Sequence, residues 1–258
     1  MNKKIHQIQK KKNKSAIVSL TAYSKNISKI LDKYCDIILV GDSMANVLYG
    51  FSSTHRISLD TIIQHTLSVQ KGIKNSLLVV DMPKGTYRNK KIAKKNAKHI
   101  MKLTKCDALK IESNSKNFEI IRELVKSNIP VMGHIGFTPQ FKKKFKVEGV
   151  TEKQTNKLIK EALDIEKAGA FSIVLECLTS NCAKKITKKL CIPTIGIGSS
   201  KFCDGQILVT DDMLGISGFY PKFIKKYANL DSIIDKAVKK YTSDVISKKF
   251  PKTKNIFK

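Results

Sequence analysis

Four carboxylates, a lysine, a histidine and a serine stand at the ends of short apolar runs in this 258-residue sequence. Asp42 and Ser43 follow Val40-Gly41, and Asp81 follows Val80. Lys110 and Glu112 flank Ile111, His134 precedes Ile135-Gly136, and Glu176 follows Leu175. On one rim, such acids would repel unless a cation or a shared proton resolved them. Carboxylate oxygens suit Mg²⁺ or another hard divalent ion, which one or two of them hold while water and substrate complete the octahedron. Asp42, Asp81 and Glu112 form the candidate metal group, which leaves Glu176 for acid–base work. Lys110, between Leu109 and Ile111, is expensive to bury without an anion. That anion is a neighbouring carboxylate or a substrate carboxylate. His134, inside an apolar run, reads equally well as a structural or a catalytic residue. Taken singly, each acid reads as a turn former or a helix cap; their common place in successive runs is what points to chemistry.

The elements that must position them are legible in the hydrophobic pattern. Apolar runs at 16–20, 36–40, 77–80, 108–111, 130–135, 171–175, 192–197 and 207–209 are short, rich in Val, Ile and Leu, and apolar on both faces. Parallel strands covered on both sides have that pattern. Helical periodicity lies between them at 60–71, 90–103 and 117–125. Thr151-Glu-Lys-Gln154 is a capping box that opens another helix, and Ala168-Gly169 is its stop. Alternating strands and helices predict an α/β fold, and eight runs predict a (β/α)8 TIM barrel spanning 1–258 as a single domain, with a short basic N-terminal segment at about 1–14. All the chemically interesting positions then fall on the C-terminal face, where barrel active sites are built. One connection fits poorly. Parallel neighbours normally need a dozen or more residues between them, and 197–207 offers fewer. Either that crossover is abbreviated or the eighth strand is misassigned.

Composition narrows the function classes. Hydrophobic residues make up 41% of the chain, enough for a sizeable core, and no run approaches the length of a membrane span. The basic start lacks an apolar stretch, so a cytoplasmic enzyme is expected rather than a secreted one. Six cysteines without a CxxC pair read as reduced thiols, neither a disulfide frame nor a zinc site, and Cys177 and Cys182 are poor nucleophile candidates. Gly196-Ile197-Gly198 is only a weak phosphate-loop signal. The net charge is +28, but only three of the 49 basic residues are Arg (Arg56, Arg88, Arg122). Nucleic-acid sites favour Arg for its two-point contacts. The lysines are scattered in groups such as Lys10-Lys11-Lys12 and Lys142-Lys143-Lys144. They read as solvated faces under compositional bias, with no specific nucleic-acid partner expected.

Leu20-Thr-Ala-Tyr23, Ile38-Leu-Val-Gly-Asp-Ser43, Asp81-Met-Pro, Lys110-Ile-Glu112, Pro130-Val-Met-Gly-His-Ile-Gly136, Thr138-Pro-Gln140, Val174-Leu-Glu-Cys177, Ile192-Pro-Thr-Ile-Gly-Ile-Gly198, Asp204-Gly-Gln206 and Pro221-Lys-Phe occur in this order. Together they resemble the ketopantoate hydroxymethyltransferase (3-methyl-2-oxobutanoate hydroxymethyltransferase) family over nearly the whole chain. The resemblance implies a barrel of the phosphoenolpyruvate/pyruvate type, assembled as a cytoplasmic homodecamer. It implies transfer of a one-carbon unit from 5,10-methylenetetrahydrofolate to 3-methyl-2-oxobutanoate, giving 2-dehydropantoate for pantothenate synthesis through a Mg²⁺-stabilised enolate. Carried over by motif, Asp42, Asp81 and Glu112 match the Mg²⁺ site. Asp42, Ser43, Asp81 and Lys110 match the keto acid contacts, and Glu176 matches the proton acceptor. The sequence departs from the family's pattern in places: Met-Ala-Asn follows Ser43 in place of Leu-Gly-Met, Ser24 replaces an Asp, Thr54-His-Arg-Ile replaces Thr-Leu-Pro-Val, a short Lys-rich stretch follows Gln140, Gly198-Ser-Ser replaces Gly-Ala-Gly, and Thr210-Asp-Asp replaces a residue followed by His-Asp. Two alternatives stay open: another Mg²⁺-dependent 2-keto acid enolate enzyme such as a C–C lyase, and an inactive basic binding protein.

Overall fold

The computed structural model describes residues 2–113, 117–142, 144–218 and 220–257; Lys143 of the lysine triplet lies outside them. Strands β1 (Ile17–Thr21), β2 (Ile37–Val40), β3 (Leu77–Asp81), β4 (Ala108–Glu112), β5 (Val131–Gly136), β6 (Ser172–Glu176), β7 (Thr194–Ile197) and β8 (Gly205–Leu208) close into a parallel barrel in sequence order. The helices are α1 (Lys3–Lys10), α2 (Lys25–Leu31), α3 (Met44–Val47), α4 (Leu59–Gln70), α5 (Lys90–Thr104), α6 (Phe118–Lys126), α7 (Glu152–Lys167), α8 (Ser180–Lys189), α9 (Thr210–Leu214) and α10 (Leu230–Ile246). The capping box predicted at Thr151 opens α7, and Ala168 caps its end. The chain divides into two compact units, Met1–Val209, which holds the barrel, and Thr210–Lys258. In the second unit α10 buries none of its residues and leaves Ile233, Val238, Tyr241 and Ile246 exposed.

Successive side chains of a strand point to opposite faces, and this divides the core in two. Ile38, Val40, Leu78, Val80, Leu109, Ile111, Val131, Ile135, Ile173 and Leu175 face outward and pack under the helices. Ile17, Ile37, Leu39, Leu77, Val79, Ala108, Met132, Val174, Ile195 and Ile207 fill the interior. The inward stripe of β3 continues from Leu77 and Val79 to Asp81, and that of β4 from Ala108 to Lys110 and Glu112. On β5 it runs from Met132 to His134, and on β6 from Val174 to Glu176. The same alternation that fills the lower barrel with hydrocarbon therefore lines its C-terminal mouth with ionisable groups.

The basic N-terminal segment is not an appended tail. Ile5 and Ile8, one helical turn apart on α1, are buried among the interior residues. Asn2 donates to Asp107, Lys4 to the Ser76 carbonyl, and Lys11 and Lys12 pair with Asp36 and Asp204. All four partners precede or open strands at the N-terminal end, so α1 plugs the bottom of the barrel.

The poorly fitting crossover is an abbreviated one. β7 and β8 pair in parallel, Ile195 with Gly205 and Gly196 with Gln206, with no helix between them. Asp204 closes the turn by accepting hydrogen bonds from Thr194 N and Oγ1 at 2.8 and 2.9 Å. Gly205 has no substitute at this point, because a Cβ there would lie 2.5 Å from the Ile17 carbonyl oxygen.

Candidate active site

The structure brings Asp42, Ser43, Asp81, Lys110, Glu112, His134 and Glu176 to the C-terminal side of β2–β6. Strand register sets Asp81 beside Lys110, Glu112 beside His134, and Gly136 beside Glu176. Gly136 adopts φ +97°, and a Cβ on it would meet the Glu176 carbonyl oxygen at 2.1 Å. Only glycine lets β5 run this close to the backbone that carries Glu176.

Lys110 Nζ stands 2.9 Å from Asp81 Oδ1 and 3.5 Å from His134 Nδ1. The Lys110–Asp81 contact is an ion pair by distance but is not aligned as a hydrogen bond, and Asp81 Oδ1 has no hydrogen-bond partner. Asp81 Oδ2 accepts from the Asp42 backbone N–H at 3.0 Å. An ammonium only donates, so the approach of Lys110 favours an acceptor at His134 Nδ1 and a proton on Nε2. Nε2 faces Glu176 Oε2 at 3.1 Å, again out of hydrogen-bond line. Asp81, Lys110, His134 and Glu176 thus form a row of ionisable groups across three strands and the end of a fourth. Ser43 Oγ lies 2.9 Å from the Tyr23 hydroxyl.

The electrostatics follow from burial. Burial, with the Asp81 charge added, pushes the Asp42 carboxyl up to about 7. Burial and then Asp42 push Glu112 well above the usual carboxylate value. Burial disfavours the Lys110 ammonium, but Asp81, Asp42 and Glu112 outweigh it and hold Lys110 above its ordinary value. Burial, aided by Lys110, pulls His134 below its ordinary value, which makes the ring neutral. Burial pushes the Cys177 thiol up to about 12, in keeping with a cysteine that is no nucleophile.

Three acids therefore crowd around one buried cation, and a second cation would relieve them. Asp81 Oδ1, buried and without a hydrogen bond, is an acceptor of the kind a hard cation seeks. The residues fit a divalent ion on these grounds. They do not form a finished cage: among the described residues, no three His, Cys, Asp or Glu side chains close into a ligand group. Lys110 and Gln140 stand among the acids instead.

Gln140 and Tyr87 are site residues without a chemical signal in the sequence. Gln140 N donates to Glu112 Oε2 and Gln140 Nε2 to Asp42 Oδ2, both at 2.9 Å, while Tyr87 donates to Gln140 Oε1. Gln140 belonged to a recognisable motif, but a glutamine in a turn announces no chemistry of its own.

The ketopantoate hydroxymethyltransferase family model matches residues 2–253 of the chain. The chain belongs to that family. It is a transferase of pantothenate biosynthesis accordingly. A relative from Pelagibacter ubique (strain HTCC1062), 3-methyl-2-oxobutanoate hydroxymethyltransferase, is 51% identical over 257 residues, with both chains covered in full. Among solved structures, 2,3-dimethylmalate lyase, a PEP mutase/isocitrate lyase superfamily member, matches with TM-score 0.65 at 13% identity, covering 93% of this chain and 88% of its own. Phosphonopyruvate hydrolase in complex with oxalate and Mg²⁺ matches with TM-score 0.62 at 12% identity, covering 98% and 93%. These structural likenesses show the fold alone, the closed parallel barrel that this chain shares with them. Among the described residues, no helix is long and apolar enough to cross a membrane.

Proposed function

We propose that the chain transfers the one-carbon unit of 5,10-methylenetetrahydrofolate to C3 of 3-methyl-2-oxobutanoate, with Mg²⁺ as its metal, and releases 2-dehydropantoate. The observation that carries this reading is the joint placement of Asp42, Asp81, Lys110, Glu112 and Glu176 at one barrel mouth, in a chain of this family.

Asp42, Asp81 and Glu112 would hold the ion. When bound, Mg²⁺ supplies Lewis acidity toward the keto acid oxygens and lowers the cost of removing the C3 proton. Asp42, Ser43, Asp81 and Lys110 are proposed to contact the keto acid. Lys110, kept charged by its neighbours, offers a cation to the substrate carboxylate. Tyr23 orients the Ser43 hydroxyl through their 2.9 Å contact. Glu176 takes the C3 proton; the electron pair left behind forms the bond to the folate methylene carbon, one of whose two C–N bonds has opened, and water then replaces the second nitrogen, supplying the hydroxyl as tetrahydrofolate leaves with a proton. His134 faces Glu176, with Nε2 3.1 Å from Oε2. A cytoplasmic homodecamer is part of the proposal. The exposed apolar side chains of α10 suit a chain that assembles, and light scattering after size exclusion gives the number of copies.

The test is a turnover assay with 3-methyl-2-oxobutanoate, methylenetetrahydrofolate and Mg²⁺. Equimolar 2-dehydropantoate and tetrahydrofolate are expected. Cleavage of a larger 2-hydroxy or 2-keto acid, with no folate-dependent product, would move the chain to the lyases instead.

A further inference from the structure

We propose that Gln140 is a positioning residue for the metal-binding carboxylates, fixing Asp42 and Glu112 relative to one another through its side chain and its backbone. The inference rests on the Mg²⁺ reading above and deepens it. Gln140 lies in the turn after β5 and is 1% exposed. Its backbone N–H holds Glu112 Oε2 and its side-chain amide holds Asp42 Oδ2. The two acids belong to β4 and to the end of β2, strands that are separated by β3 and do not touch in the sheet. One residue therefore bridges two of the three proposed ligands across an intervening strand, and that strand delivers the third, Asp81.

The amide has one orientation. Its second N–H donates to the Met82 carbonyl at 3.0 Å, and its oxygen accepts from the buried Tyr87 hydroxyl. A flipped amide would set Oε1 against a carboxylate and a carbonyl, two acceptors facing a third, and would leave Tyr87 without its acceptor. With one oxygen of Asp42 and one of Glu112 anchored, neither carboxylate turns freely, so the direction of its other oxygen is fixed as well. The chemistry of the anchor matters. A lysine here would neutralise the acids and a carboxylate would repel them. A neutral donor orients them and leaves their charge for the cation.

Removing groups that orient metal ligands typically costs about 10–100-fold in metal affinity or activity. The experiment measures binding of Mn²⁺, a paramagnetic stand-in for Mg²⁺, to the full chain without substrates, from the electron paramagnetic resonance signal of the free ion. The parent protein is expected to take up the ion, and Gln140→Ala to weaken uptake by about 10–100-fold. Tyr87→Phe leaves the glutamine in place and removes only the group that fixes its amide; a smaller, several-fold loss is expected. Equal affinities in the parent and Gln140→Ala would overturn the role of Gln140 and leave the metal reading standing. No uptake by the parent would sink both. Should Gln140→Ala fail to fold, Tyr87→Phe decides alone, and parent-like affinity in that variant refutes the proposal.

Discussion

Glu176 differs from the other acids of the mouth in its access to solvent. Its side chain is 19% exposed, against 3% for Asp81 and 2% for Glu112. A group that must receive a carbon-bound proton and pass it on needs such access, whereas a group that holds a cation is better shielded. Glu176→Gln keeps the size and removes the basicity. Losing a general base typically costs ~10²–10⁴ in rate. Exchange of the C3 hydrogen of 3-methyl-2-oxobutanoate with D₂O, followed by NMR beside turnover, is expected to collapse together with turnover, while binding of the keto acid survives. Exchange at the parent rate with turnover lost would mean that Glu176 acts after proton removal, and His134 would take its place as the candidate base.

At the scale of elements, α1 holds the lower barrel shut. Ile5 and Ile8 are each 3% exposed and belong to the cluster of interior residues. Ile8→Ala is expected to cost ~2–5 kcal/mol of stability, the range for emptying a buried aliphatic site, read as a fall in denaturation midpoint with the mouth chemistry intact. The loop leading into β3 is tied by Asp32, whose carboxylate accepts the backbone N–H groups of Lys74, Asn75 and Ser76 at 2.8–3.2 Å. Burial raises its pKa, but those hydrogen bonds outweigh burial and leave it below the ordinary value of 3.8. A depressed carboxyl stabilises above its unfolded value, and the stabilisation is lost as the pH falls through the folded one. Asp32→Asn should therefore melt well below the parent at pH 7, by ~1.5–3 kcal/mol for a lost charge-assisted bond, and the gap should narrow as the pH drops below 4. A constant gap in melting scans from pH 7 to pH 3 would show that the charge is not what ties the loop.

The strands, the barrel and the acids at their ends were legible because short runs apolar on both faces, and positions at their ends, are local properties of the sequence. The plug was not: Ile5 and Ile8 stood among the ten lysine, asparagine and glutamine residues of positions 1–14, and a basic stretch reads as solvated until its partners are known. Gln140 was hidden for another reason. Its partners Glu112 and Asp42 lie 28 and 98 positions away, and no spacing rule connects them. The β7–β8 crossover looked too short because the general rule assumes a helix; Asp204 and Gly205 close it with a carboxylate cap and an absent side chain.

At the scale of the whole molecule, the charge of +28 asks for a partner or an explanation. Part of it is used internally: Lys4, Lys11 and Lys12 fasten the plug, Lys110 serves the mouth, and Lys90 and Lys94 of α5 pair with Glu119 and Glu123 of α6. The exposed pairs of Lys90 and Lys94 contribute ~0–1 kcal/mol each, and the many other lysines are an excess of ammonium groups rather than a built anion site. Polyanion binding should then be electrostatic and unselective, with a Kd of ~10⁻⁴–10⁻⁶ M at physiological salt and a steep loss as salt rises. Fluorescence anisotropy with labelled duplexes of unrelated sequence, titrated at several salt concentrations, measures both quantities. Similar weak affinities for all duplexes are expected. A nanomolar complex that prefers one sequence and survives moderate salt would require base contacts, which scattered lysines do not make, and would mean that the surface carries a recognition site of its own.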